Sequence, residues 1–183
     1  MTEHRVSARY AQALIDAATQ EGQMEKVHED FLHVLTNINE SKDFRLFLKS
    51  PVINHWHKKR IFTEIFEASI SKLTLSFLIL LAEKKREILI ESIIQNFFDL
   101  YDKQNNRLKV GISSSIELND VVRASVIEKL TKNTGMKIIP TYSVDKNLIG
   151  GIQIKISDWV FDASVRNQLE QLRIKLATED IAS

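Results

Sequence analysis

The side chains that could do chemistry in this chain fall into a few small groups. His55 and His57 flank Trp56, and two imidazoles invite a metal reading. Residues at i and i+2 do not share a helix face, however, and no acidic third ligand is near in sequence, so a polar turn before a helix is expected. His28 and His33, five apart, do not stack on one face either. Asp162 and Ser164 resemble part of a nucleophile constellation, but no histidine follows His57, and a local capping role is expected instead. Gly150-Gly151 follows Leu148-Ile149 and precedes an alternating apolar segment, which suits a bend or close backbone approach rather than a phosphate cradle. Two basic runs, Lys58-Lys59-Arg60 and Lys84-Lys85-Arg86, lack interleaved aromatics and read as solvated faces rather than an RNA site.

Composition narrows the classes further. The 183 residues contain no cysteine, which excludes disulfides, thiolate metal sites and cysteine nucleophiles. Lys plus Arg number 25 against 24 acids, so no global field draws the chain to nucleic acid or anionic lipid. Phosphate-loop, dinucleotide, zinc-protease and calcium-loop patterns are absent. The most apolar stretch, Leu73 to Ala82, is about half a bilayer crossing. Met1 to Val6 is short and polar, so no signal or transit peptide is expected, and the chain reads as a soluble protein that stays where it is made. No catalytic, cofactor-binding or metal-binding residue is therefore assigned, and an interaction module is the default.

The elements that hold these residues divide into two grammars. Only Gly22 lies before residue 105, whereas Gly111, Gly135, Gly150 and Gly151 follow it. Six helices are expected in residues 1–104. The first carries Val6, Tyr10, Ala13, Leu14, Ala17 and Ala18 and ends near Gly22, and the second carries Met24 to Ile38. A short third is stopped at Ser50-Pro51. The fourth is capped by Asn54, the fifth, near residues 71–83, is apolar on almost every side, and the sixth runs from Ile88 to Tyr101. Residues 105–183 change period. Leu108, Val110, Ile112, Ser114 and Ile116 alternate as a strand, and Leu118 to Leu130 return to helical spacing. Strands are expected at Ile138–Val144, Ile152–Ile156 and Trp159–Phe161, with a tight turn at Ser157-Asp158. Val165, Leu169, Leu172 and Leu176 make a last helix capped by Asp162 or Ser164, followed by a frayed tail from Thr178. The predicted architecture is a six-helix bundle, residues 1–104, followed by a small α+β domain, residues 105–183, with a short mixed sheet covered by two helices.

Several of these segments carry a family resemblance. Arg9-Tyr10-Ala11-Gln12-Ala13-Leu14 with Ala17-Ala18 resembles the opening of the delta-subunit family of bacterial F-type ATP synthase, related to the mitochondrial oligomycin-sensitivity-conferring protein. The likeness continues through Phe47-Leu48-Lys49-Ser50-Pro51 with Lys58, and through Phe77-Leu78-Ile79-Leu80-Leu81 with Arg86. It is strongest at Val144-Asp145, Leu148-Ile149-Gly150-Gly151, Asp158, Asp162, Ser164-Val165 and Leu169. Ser157, Ala163 and Ser76 depart from it, standing where glycine, glycine and asparagine are common.

The resemblance implies a non-catalytic stator subunit, one copy in a hetero-oligomeric complex. The helical domain would hold N-terminal segments of alpha subunits of the catalytic head. The second domain would engage the C-terminal ends of the b subunits of the peripheral stalk. It further implies ATP synthesis coupled to ion transport, a peripheral place on the cytoplasmic face of the bacterial plasma (inner) membrane without membrane insertion, and no nucleic-acid partner. On this reading Tyr10, Ala13, Leu14, Ala17, Phe77, Leu78 and Leu81 form the alpha-binding groove between the first and fifth helices. Gly150, Gly151, Asp158, Asp162, Ser164 and Leu169 frame the stalk domain. An RNA-binding regulator and an enzyme with a dispersed site are the other classes.

Overall fold

The computed structural model describes residues 2–50 and 53–179, with side chains from 4 to 174 inside those ranges. Pro51, Leu176 as a packing position and the last four residues of the expected frayed tail lie outside the described residues. The chain divides into two compact units, residues 1–101 and 102–183.

In the first unit, α1 (Thr2–Gln20), α2 (Met24–Glu40), α3 (Lys42–Lys49), α4 (His55–Phe66), α5 (Lys72–Glu83) and the start of α6 (Ile90–Gln104) enclose one apolar core. The expected sixth helix begins later than its apolar pattern, because Glu87–Leu89 form a separate 3-10 turn. Gly22, at φ +64, ends α1: its N–H reaches Thr19 O and the Gln23 N–H reaches Ala18 O, the paired bonds of a left-handed helix stop. The same bond pattern ends α5 at Lys85, where a residue with a Cβ holds φ +54. Asn54 caps α4, as its residue type predicts.

Two buried charges tie the helices together. Asp30 on α2 accepts hydrogen bonds from the Ser71 N–H (2.9 Å) and the Thr74 hydroxyl (2.8 Å), so one helix fixes the first turn of another. Lys58 on α4 is 1% exposed; its Nζ donates to Ser50 O (2.8 Å) and to Glu87 Oε1. A lysine that sits in a basic run is thus a core residue, holding the last carbonyls of α3 and the turn before α6.

In the second unit, β1 (Arg107–Ser114), α7 (Asp120–Thr134), β2 (Lys137–Val144), β3 (Gly151–Ile156), β4 (Trp159–Ser164) and α8 (Val165–Glu179) follow in order. The sheet order is β2-β1-β3-β4, with β1 and β2 parallel and the other pairs antiparallel. Pro140 is accommodated because β2 is an edge strand. One face presents Val110, Ile112, Ile138 and Ile154, with Val126, Ile127 and Leu130 of α7 packed onto them.

Three expectations need correction here. Ile116 lies beyond β1 and is exposed, the strand having ended at Ser114, whose hydroxyl donates to Ile116 O. Leu118 precedes α7, which Asn119 caps. Most consequentially, only α7 joins the sheet's apolar cluster among the described residues; Leu169 and Leu172 of α8 are each 58% exposed. The physical reason is that the other sheet face carries Lys109, Ser113, Gln153 and Lys155 at its centre, with only Ile139 and Val160 apolar on its two edge strands, and so offers little apolar surface for that stripe.

Two outcomes follow. Asp30→Ala should lower stability by about 2 kcal/mol in urea unfolding, since it leaves two helix-start groups without their charged acceptor. A fragment of residues 1–104 should unfold cooperatively with a helical circular dichroism spectrum; a non-cooperative melt would show that the first unit lacks independent stability.

Candidate partner-binding surfaces

The groups that invited chemistry are placed in packing roles. His28 stacks 4.3 Å from Tyr101 and 5.1 Å from Phe98, His33 lies 6.2 Å from Phe66, and His55 packs on Trp56 at 5.6 Å. Among the described residues no three His, Asp or Glu side chains converge, and no helix is long and apolar enough to cross a membrane.

On the helical unit, the residues expected to make the groove separate into surface and core. Tyr10 is half-buried and meets Phe77 edge-on at 6.3 Å, which brings α1 beside α5. Ala13 is exposed and Ala17 half-buried on the same α1 face. Leu14, Leu78 and Leu81 are at most 2% exposed, and Phe77 is nearly so. Their side chains therefore fill the bundle core, and what they give a partner is the shape of the surface above them. Helical periodicity cannot separate a core stripe from a groove stripe when both lie on one helix. Leu80, which is outside the expected groove set, is the large apolar residue of α5 left exposed.

On the second unit, Gly150 and Gly151 make the close approach that their pairing predicts. A Cβ at Gly151, which holds φ +80, would stand 2.4 Å from Ala163 O; one at Gly150 would stand 2.9 Å from Val165 Cγ2. Gly150 O also accepts from the Val165 N–H at 2.9 Å, tying the glycine pair to the first residue of α8. The capping alternative resolves into a division of labour. Ser164 Oγ accepts from the Asn167 N–H (3.2 Å), while the Asp162 carboxylate accepts from the Ser164 N–H (2.8 Å) and from Gln153 Nε2 (3.2 Å). Hydrogen bonding from the Ser164 side chain, then from its backbone, holds the Asp162 carboxyl below its ordinary range. This favours the native state above about pH 4, the usual unfolded value, and the contribution is lost as pH falls through the lowered one.

Asp158 sits exposed in the two-residue turn that pairs Ile156 with Trp159, and Ser157 holds φ +50 there, the conformation glycine would adopt without strain. Sequence reasoning passed over Ile149. This exposed β-branched residue has φ +62 and ψ −43, in a three-residue turn closed by the Gly150 N–H on Leu148 O. A left-handed isoleucine has no composition signal; only the glycine pair beside it marks the site.

Two apolar surfaces of this unit stay uncovered. Val126 and Leu130 of α7, with Ile152, Ile154, Ile156 and Phe161 of the sheet, line a cavity of about 470 Å³. On β4 and α8, Trp159, Phe161, Leu169 and Leu172 are more than half exposed.

Gly151→Ala should cost at least about 2 kcal/mol, from left-handed strain plus overlap with backbone. Gly111→Ala, whose added Cβ would meet only Lys155 at 3.6 Å, serves as the small-effect control. Ser164→Ala should cost about 1 kcal/mol by loss of the cap. Urea unfolding measures all three, and equal losses for the two glycine variants would contradict the assigned contact.

Known proteins share the sequence pattern and the fold of this chain. The model of the ATP synthase delta (OSCP) subunit family matches residues 6–176. The ATP synthase subunit delta of Chlorobaculum tepidum is 37% identical over 179 residues, covering 98% of this chain and 99% of that protein. That of Chlorobium phaeobacteroides is 36% identical with the same coverage. A chain in the cryo-EM structure of the Toxoplasma gondii mitochondrial ATP synthase hexamer shares the fold, with a TM-score of 0.72 at 23% identity over 93% of this chain and 97% of that one. The family model and these relatives cover almost the whole of both units, and the chain belongs to the ATP synthase delta (OSCP) subunit family.

Proposed function

We propose that the protein is the non-catalytic link between the catalytic head and the peripheral stalk of an F-type ATP synthase, working at the cytoplasmic face of the bacterial plasma membrane. The observation that carries this reading is that each compact unit leaves its own apolar surface uncovered, so one chain can hold two partners. On the helical unit the surface is the small-residue face of α1, with Ala13 and Ala17 beside Tyr10 and the accessible edge of α5. Small side chains let a partner helix approach closely, and the amphipathic N-terminal segment of an alpha subunit is the occupant the family suggests. On the second unit the surfaces are the sheet cavity beside α7 and the exposed stripe of α8, which suit the C-terminal helical ends of the b subunits.

The mechanics follow from torque. A rotor turning inside the head drags the surrounding ring with it unless the ring is tied to the membrane sector. The tie does no chemistry; it must stay bound through each step, and a nanomolar interface corresponds to about −12 kcal/mol. Gly150, Gly151, Asp162 and Ser164 serve indirectly, by fixing where α8 starts relative to β4.

Two paired variants test the division. Ala13→Trp should weaken binding of an alpha N-terminal peptide about tenfold or more by filling the approach, leaving b binding unchanged. Gly150→Val should impair b binding while alpha binding stays intact. Calorimetry with both peptides reads each; loss of both in either variant would mean the units do not divide the work.

A further inference from the structure

The two basic runs, far apart in sequence, are brought to one end of the helical unit. Lys59 Nζ lies 3.5 Å from Glu83, the last residue of α5, and Lys58 meets Glu87 just beyond it. Lys49, His55, Lys85 and Ile88 are among the residues lining one cavity of about 590 Å³ at this junction. Trp56, His57, Lys59 and Arg60 line a second, of about 460 Å³.

The local charge balance is one-sided. Three nearby carboxylates are engaged, Glu83 by Lys59, Glu87 by Lys58 and Glu64 by Arg60 at 3.3 Å, and Glu91 stands exposed in the first turn of α6. Lys49, Lys84, Lys85 and Arg86 are exposed and have no acidic partner among the described residues. Beside them stand Trp56, 68% exposed, and Ile88, 58% exposed, in a unit whose phenylalanines are otherwise mostly interior. An accessible indole with Arg86 beside it supplies two of the residue types that anchor protein interfaces, and the lysines around them give a positive rim complementary to carboxylates. The surface is also continuous with the proposed alpha-binding face, because α5 carries Phe77 in its middle, the accessible Leu80 next, and this patch at its end.

We infer that this end of the helical unit is a second docking surface for the catalytic head, taking an acidic segment of a head subunit. Its carboxylates pair with Lys84, Lys85 and Arg86, and an apolar side chain seats against Trp56 and Ile88. The inference rests on the stator reading for the identity of the partner. A nucleic-acid backbone fits less well, since the exposed carboxylates of Glu64 and Glu83 stand among the cations and would repel a continuous row of phosphates, whereas a short segment with separated carboxylates can meet the free cations alone.

The test titrates full-length protein against isolated catalytic head depleted of this chain, at about 50 and about 200 mM salt, where screening differs. Lys84→Glu/Arg86→Glu should weaken binding about fivefold or more at low salt and flatten the salt dependence, while Lys84→Arg keeps the wild-type value. Trp56→Ala should weaken binding equally at both salts. Circular dichroism checks each fold, and Lys49→Glu repeats the charge test should the double variant misfold. Unchanged affinity and salt slope in the folded charge-reversal variants would overturn the inference while leaving the stator reading standing. Failure of wild-type protein to bind the head at either salt would overturn both. Retention of polyuridylate RNA or anionic phosphatidylglycerol vesicles that charge reversal abolishes, with head binding unaffected, would reassign the patch and overturn it as well.

Discussion

The four-stranded sheet of the second unit has one largely apolar face and one largely polar face, and among the described residues α7 is the helix packed on the apolar one. That constraint shapes the rest of the unit. Leu169 and Leu172 of α8 are left exposed, while Lys109, Ser113, Gln153 and Lys155 occupy the middle of the face that α7 leaves open. Burying a leucine contributes roughly 1.5–3 kcal/mol, so leaving Leu169 and Leu172 in water forgoes stabilisation that a partner can supply. The glycine pair then matters mechanically: it lets β3 begin against the end of β4, where Val165 is tied to Gly150, and so sets where that unsatisfied helix starts.

The helical unit solves a different problem. Its core is ordinary apolar packing, but helix order is specified by buried polar groups with particular partners. Asp30 recognises the start of α5, and Lys58 recognises the end of α3 together with Glu87. Removing one member of such a buried pair is costly even where the pair itself adds little net stability. A unit that transmits load gains from groups that tolerate only one arrangement, and these two sites hold four of its helices in register.

Much of this was legible in the residues. Period 3.6 up to Tyr101 and period 2 from Leu108 mark the change of architecture, and Gly22, Asn54 and Ser164 announce their caps by type. Lys58 is hidden because a basic run resembles a solvated face; only tertiary packing shows that the run's first lysine is a core residue. On periodicity alone Leu14, Leu78 and Leu81 fit a partner groove as well as a core, because the two share one helical stripe. The open face of α8 was hidden for a related reason, since an amphipathic pattern says that a helix needs a cover and not whether its own chain provides it.

The central claim is simultaneous attachment: one chain, two separate surfaces, two partners held at once. Sedimentation velocity on a mixture of full-length protein, catalytic head and the soluble part of the b subunits measures this directly. The account predicts a ternary species that contains all three and that is absent when this protein is omitted. Binary complexes that compete, so that adding b subunits releases the head, would contradict it.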